Sequence, residues 1–414
     1  MLAPWSLSLA IDVHMSTVLA ALGLSSQFIL VMKITDASNL SFQDEPGIMQ
    51  ELEIPSYLHY QQTCYITSAC EVVFVSYLRR KSDWVALKPL LSPDGGIRIL
   101  IASFEKREAA YAEAKPANTR RKITESLRMV TEYVVQTKRW WKPQEHGNWL
   151  WLTRMIAEEE SLEVQAFFGW AEQETALCAA GHEYTQQSRM NVCDLQLLHG
   201  LATRSLQDGV SAFAQRHSSI RCRSLQGGLG RCELKTDAVT TLVSLPIVLI
   251  VELPAQLEGA CWIVEPVITI GETTYELIGR IAPVAPDGFH FTALTIHNDQ
   301  SVAPFRPAVY SYDDMQGVSK LKQAFSLESN QDTGGVPLPD SGKPPTEQLK
   351  IVCENVLYSQ TIFYVARGEV NPAFYTSTAE IKRPWDGATP RFRHNLVVGN
   401  DRILGMQMFP PPSL

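Results

Sequence analysis

Three residues of this chain have the types, and stand in the order, that thiol chemistry needs: Cys64, His290 and Asp313. Cys64 sits where a polar loop gives way to an apolar run that continues to Leu78. Its sulfur is therefore expected at the first turn of a buried helix, where the helix dipole favours a thiolate. His290 follows Pro286-Asp287-Gly288-Phe289 and opens a predicted strand, a junction from which a ring can project into a cleft. Asp313 follows the run Tyr310-Ser311-Tyr312 and precedes Asp314. A free thiol is only a few per cent ionised at neutral pH; a histidine that holds its proton, and an acid that fixes the ring's tautomer, make it a nucleophile. Taken singly each residue has a plainer reading, since a cysteine at the head of an apolar helix is ordinarily a small core residue. His297, the other histidine nearby, falls in a polar turn and reads as a surface residue with satisfied hydrogen bonds.

The elements that must position these groups follow from the period of the apolar residues. A helix from Tyr65 carries Ile66, Val73, Phe74 and Tyr77, and stops at Arg79, Arg80 and Lys81, cations suited to a helix C-terminus. Residues 104 to 138 are rich in helix formers, and Glu105, Arg107, Arg120, Arg121, Lys122 and Glu125 read as a solvated helical face. Trp149, Leu152 and Ile156 recur at helical spacing behind a polar lead. Between 161 and 234 short strands and turns are expected, with a helix near 206 to 216. Gln226-Gly227-Gly228-Leu229-Gly230 reads as a turn rather than a phosphate loop, because no Lys-Ser/Thr follows it.

From Ala238 the period becomes that of strands. Leu245 to Leu253 is a continuous apolar run that fits a strand buried on both faces. Ile263 to Ile270, Tyr275 to Pro283, Phe289 to Ile296 and Ala308 to Tyr312 follow as further strands of an antiparallel sheet. A loop rich in Gly, Pro and Ser at 329 to 345 precedes a last strand, Thr361 to Ala366.

At 414 residues, 45% hydrophobic and 19% charged, the chain can bury a large core, and its net charge of -8 argues against broad binding to nucleic acid or anionic membranes. Its eight cysteines lack the spacing of a disulfide framework, so they read as reduced thiols of an intracellular protein, cytoplasmic or nuclear. The apolar stretch Val18 to Met32 has no positive lead, the first Lys being Lys33, and is too short to span a bilayer.

Several boxes resemble, in order, those of the ubiquitin-specific proteases. Gln62-Thr63-Cys64-Tyr65-Ile66-Thr67-Ser68 is similar to that family's Asn-Thr-Cys-Tyr-Met-Asn-Ser. Gln144-Glu145-His146-Gly147-Asn148-Trp149-Leu150 resembles its Gln-Gln-Asp-Ala-His-Glu-Phe-Leu, and Leu245 to Leu253 resembles its Leu-Pro core strand. Tyr275-Glu276-Leu277, then Gly288-Phe289-His290-Phe291-Thr292-Ala293, is similar to its histidine box, with Phe289 inserted. Tyr312-Asp313-Asp314 falls where its third triad member lies, and Ile362-Phe363-Tyr364-Val365 looks like its closing strand.

The resemblance implies an α+β, papain-like cysteine protease fold, with a helical thumb over about 60 to 160 and an antiparallel palm and fingers over 161 to 367. Residues 1 to 50 would be a leader of unassigned role, 51 to 367 the catalytic domain, and 368 to 414 a tail, disordered or added. It further implies a deubiquitinase with Cys64 as nucleophile, His290 as base and Asp313 as orienting acid, acting on conjugates of ubiquitin or a ubiquitin-like modifier, with neither nucleic acid nor membrane as partner. The family's oxyanion Asn is replaced by His59, leaving His59, Gln62 or the Cys64 backbone N–H as donors. That departure supports an alternative: a catalytically inactive relative that binds such modifiers or acts as a scaffold. Family members often hold zinc through paired Cys-x-x-Cys motifs. Cys178, Cys193, Cys222 and Cys232 lack that spacing; Cys178 with His182, Cys222 and Cys232 is a degenerate four-ligand alternative, but a metal-free finger without cofactor is the expectation.

Overall fold

The computed structural model describes residues 53–58, 63–112, 116–140, 149–159, 161–195, 203–222, 232–253, 261–284, 290–298, 303–313, 320–326, 351–353, 360–368 and 370. The expected leader, the tail from 371, the glycine turn at 226–230 and the polar loop at 329–345 lie outside these.

A short strand β1 (Glu53–Pro55) precedes six helices: α1 (Cys64–Arg79), α2 (Lys81–Leu87), α3 (Gly96–Tyr111), α4 (Pro116–Thr131), α5 (Trp151–Glu158) and α6 (Leu162–Phe168). Then come β2 (Trp170–Leu177), β3 (Glu183–Met190), β4 (Cys193–Asp194), β5 (Thr203–Ser205), helix α7 (Leu206–Ala214), β6 (Gln215–Arg221) and β7 (Lys235–Ser244). The chain continues through β8 (Val248–Leu253), β9 (Cys261–Val264), β10 (Val267–Ile270), β11 (Thr273–Val284) and β12 (His290–His297). Last are β13 (Ala308–Tyr312), β14 (Lys320–Ser326), β15 (Ile351–Cys353) and β16 (Gln360–Ala366). The class is α+β, as expected, with helices in the first half and sheet in the second.

Helix α1 is buried all round: every residue from Cys64 to Tyr77 is enclosed, most of them apolar and the polar Ser68, Glu71 and Ser76 each hydrogen-bonded. Such a helix belongs in a core. Its β-branched Val72, Val73 and Val75 are weak helix formers, so tertiary contact rather than propensity holds it. It lies across β11, β12 and β16 of a nine-stranded sheet ordered β1-β14-β13-β12-β11-β16-β8-β4, with β10 added on β11. The sheet is covered on both faces, which explains the unbroken apolar runs. In β16, Phe363 and Val365 enter the core shared with α1, while Ile362 and Tyr364 enter a second core with α7. At the helix C-terminus Arg79 donates to Glu276 at 2.7 Å and to the Ile296 carbonyl at 2.8 Å, tying α1 to β11 and β12.

Four expectations need correction. The run 263 to 270 is not one strand: β9 joins a three-stranded sheet (β15-β9-β5) and β10 joins the large one. Pro266, which has no N–H for a ladder, stands at the break, and the Glu265 carboxylate accepts from Ser205 Oγ at 2.5 Å and from the Gln207 backbone at 3.1 Å to cap α7. The sheets are also not wholly antiparallel, since β4 pairs with β8 and β5 with β9 in parallel.

Arg107 is not on a solvated face. It is fully buried, bonded to Glu71 Oε2 at 2.7 Å, with its guanidinium 4.2 Å from the Phe74 ring centre and 4.4 Å from that of Tyr57. His297 is not in a polar turn either. It ends β12, is 3% exposed, and stacks on Phe305 with ring centres 4.1 Å apart. Alternation puts it on the same face of β12 as Phe291 and Ala293, which look toward the helices.

Candidate active site

Helix α1 begins at Cys64, with Thr63 as its N-cap; the Thr63 carbonyl accepts from Ile66 N at 2.8 Å and Thr67 N at 2.9 Å. The Cys64 side chain is 4% exposed and its thiol is free of any disulfide. Next along the helix, the Tyr65 carbonyl accepts from Trp151 Nε1 at 3.1 Å, so α5 holds the helix start from one side.

His290 is the first residue of β12. The β12–β13 ladder closes at Ala293 opposite Tyr312, so the next residue of the antiparallel strand, Asp313, runs back toward the start of β12. His290 Nε2 and Asp313 Oδ1 are 2.7 Å apart, each side chain 19% exposed. Burial of the ring disfavours its charge and is the largest single influence; the Asp313 hydrogen bond, a hydrogen bond with the Cys64 sulfur and the charges of both partners outweigh it. The imidazole is pushed up to about 10. Sulfur, ring and carboxylate are thus linked in series, through opposite ends of α1, β12 and β13 in sequence but one place in space. The suggested oxyanion residues His59 and Gln62 lie outside the described residues.

Cys64, His290 and Asp313 are legible in the sequence; the residues that support them are not. Ser68 lay inside the quoted cysteine box, yet its hydroxyl bond to the Phe291 carbonyl, at 2.9 Å, had no sequence signal. The Glu71–Arg107 pair joins residues of two helices and was equally hidden.

A second cluster occupies the four-stranded sheet β3-β2-β7-β6. Cys178 and His182 bracket the β2–β3 turn, where Cys178 N donates to the His182 carbonyl at 3.0 Å and Gly181 takes the left-handed φ of 80°. Cys222 follows β6, Cys232 precedes β7, and all four ligand atoms lie within 4.8 Å of one another. Cys178 Sγ is 3.3 Å and Cys222 Sγ 3.5 Å from His182 Nδ1. Tetrahedral zinc with three sulfurs and one nitrogen sets neighbouring donors about 3.6–3.8 Å apart, so the donor set and its spacing fit that ion. The separate small core here consists of these three cysteines with Ala176, Tyr184 and Ala238, little apolar material for a sheet to rest on. Cys193 is not part of the cluster; it is buried in the core beneath α7.

Among the described residues no helix is long and apolar enough to cross a membrane. No protein-family model and no curated protein sequence matches the chain. Solved structures do resemble it. One belongs to the SAGA Ubp8/Sgf11/Sus1/Sgf73 DUB module bound to ubiquitin aldehyde, at 13% identity and a TM-score of 0.45 over 78% of this chain and 72% of that one. Another is from the SAGA DUB module bound to monoubiquitin, at 11% identity and a TM-score of 0.47 over 87% and 76%. A third is the apo Pan2 pseudoubiquitin hydrolase-RNA exonuclease module of Saccharomyces cerevisiae, at 12% identity and a TM-score of 0.41 over 78% and 57%.

Proposed function

We propose that the chain is a papain-like thiol hydrolase that cleaves the peptide or isopeptide bond after the C-terminal glycine of ubiquitin or a ubiquitin-like modifier. The observation that carries the reading is the series Cys64, His290, Asp313, in which the ring, 2.7 Å from the carboxylate and hydrogen-bonded to the sulfur, is pushed up to about 10. The choice of modifier rests on the order of the sequence boxes around these residues.

In this reading Cys64 sulfur attacks the carbonyl carbon of the terminal glycine. Charge develops on the carbonyl oxygen at the N-terminus of α1, where the dipole and the Cys64 backbone N–H favour it. His290 then gives its proton to the leaving lysine amine, and the carbon–nitrogen bond breaks to leave a thioester. Water, giving one proton to the now neutral ring, attacks the thioester; the Cys64 thiolate leaves, and the modifier's new carboxylic acid loses its remaining proton to solvent. Asp313 stays ionised and keeps Nε2 protonated, which turns Nδ1 toward the sulfur.

Cys178, His182, Cys222 and Cys232 would hold a zinc ion, replacing the metal-free finger expected from ligand spacing. Such an ion supplies a cross-link between the β2–β3 turn and the connection from β6 to β7. Hydrolysis needs nothing from it.

The test is incubation with ubiquitin carrying a C-terminal thiol-reactive warhead. A covalent adduct with wild type and none with Cys64→Ala is expected. Binding without an adduct would favour the inactive, modifier-binding alternative that His59 suggests, and an adduct surviving in Cys64→Ala would overturn the choice of nucleophile.

A further inference from the structure

We propose that Ser68 is a positioning residue that sets the register of the Cys64 helix against the histidine strand; this rests on the hydrolase reading above. Ser68 lies four residues beyond Cys64, on the same face of α1, and is fully buried. Its hydroxyl donates to the carbonyl of Phe291, the residue that follows His290, at 2.9 Å. One hydrogen bond therefore joins the neighbour of the base to the helix turn that presents the nucleophile.

Two observations set this contact apart from routine satisfaction of a buried hydroxyl. Serines and threonines inside helices commonly bond back to a carbonyl of their own helix. Thr67, Ser76, Ser126 and Thr153 do so here, to the carbonyls of Cys64, Val73, Ile123 and Leu150. Ser68, like Ser103 of α3, instead reaches across to another element. The strand side is equally prepared: the residue opposite Phe291 in the β11–β12 ladder is Pro283, which has no N–H to give to that carbonyl.

A second seat lies one helix step further. Val72 is four residues beyond Ser68, and a Cβ added at Gly279 of β11 would come within 2.9 Å of Val72 Cγ1 and collide with the Leu294 carbonyl. Glycine at that site lets α1 settle closely on the sheet. Apolar contact alone is non-directional and leaves the helix free to slide by fractions of an ångström. Catalytic groups tolerate only about 0.5 Å of error, and about 1 Å can cost on the order of a hundredfold in rate. The Ser68 bond supplies the direction that the apolar seat lacks.

The experiment reads the Cys64–His290 pairing without any modifier: iodoacetamide alkylation of Cys64, mapped by mass spectrometry, at pH 6 and pH 9, with burial of Cys70 and Cys193 as the internal sign of a folded chain. Ser68→Ala is expected to slow alkylation about tenfold at pH 6, where only a thiolate paired with imidazolium reacts well, and by less than about twofold at pH 9. Ser68→Thr and Ser68→Val, alike in shape but not in hydroxyl, form the second test: the threonine variant should keep the wild-type pH 6 rate within about threefold and the valine variant should match alanine. Wild-type rates in folded Ser68→Ala, or equal rates in the threonine and valine variants, would overturn the proposal. A wild type that pairs Cys64 with His290 in this assay yet fails to react with the ubiquitin warhead would sink the substrate reading and leave the role of Ser68 standing.

Discussion

His290 Nε2 lies 2.7 Å from Asp313 Oδ1, and the two residues are brought together by the antiparallel pairing of β12 and β13, whose ladder runs from Ala293 opposite Tyr312 to His297 opposite Ala308. The acid therefore has its position from backbone pairing rather than from a flexible loop. Asp313→Asn preserves the shape but offers the ring a neutral partner and permits the wrong tautomer. Turnover of a fluorogenic ubiquitin C-terminal amide is expected to fall by about a hundredfold, with KM changed by less than about threefold. An unchanged turnover number would remove Asp313 from the mechanism.

The raised His290 ring has a stability consequence with a definite sign. Its folded value, about 10, lies above the ordinary 6.5, so the folded state favours the imidazolium. The contribution is complete below about pH 6.5 and is lost as pH rises toward 10. Urea unfolding of wild type and His290→Gln across that window should show wild type losing more stability than the variant, and parallel profiles would contradict it.

His297 runs the other way. Burial first, then the charges of Arg79 and Arg107, hold its ring well below the usual histidine range, so it is neutral in the folded protein. Its contribution is present above about pH 6.5 and is lost as the pH falls below that value, where the unfolded chain takes up the proton. His297→Phe, which keeps the stack on Phe305, should flatten the decline in melting temperature between pH 7 and pH 5.

The Glu71–Arg107 pair is at most 1% exposed on either side, and Ser56 also bonds the Glu71 carboxylate. Removing one charge strands the other. Glu71→Ala or Arg107→Ala should cost about 3–5 kcal/mol in urea unfolding, and the double replacement Glu71→Leu with Arg107→Met should cost less than either single change. A double variant as poor as the sum of the singles would show that the pair is not coupled.

Purified under reducing conditions, the protein should carry about one zinc per chain by elemental analysis, and Cys178→Ser or Cys232→Ser should lose most of it. Chelation should melt the four-stranded sheet, seen as loss of strand signal in far-ultraviolet circular dichroism, while Cys70, buried in the core around α1, keeps its protection from alkylation. Absence of metal from wild type would restore the metal-free finger.

Legibility in sequence followed how local each signal was. The run ending at Leu253 read correctly as a strand buried on both faces because every residue of Val248–Leu253 is apolar or enclosed between two cores. Cys64 read correctly as a helix start because the apolar run begins beside it. Arg107 was misread because its partner, Glu71, lies 36 residues away on another helix. His297 was misread because polar residues follow it, although the alternation along β12 already pointed inward. The set Cys178, His182, Cys222 and Cys232 is legible only as a degenerate alternative, because Cys178 and His182 have three residues between them and Cys222 and Cys232 meet them only through sheet pairing.

The sheet order has a consequence for synthesis. β11 sits between β12 and β16, and β16 separates it from β8, so the centre of the sheet is filled by Gln360–Ala366. A nascent chain makes Cys64 about 300 residues before that strand exists, which at about 5–20 residues per second is on the order of 15–60 s. His290 follows Cys64 by about 230 residues, so for most of that interval the thiol is without the ring that lies beside it in the fold, and until its end the sheet that places the ring lacks its central strand. Any reactivity of Cys64 that depends on His290 is therefore withheld until translation has passed Ala366, and premature termination upstream of β16 yields a polypeptide that has Cys64 but lacks the central strand of the sheet against which its helix packs.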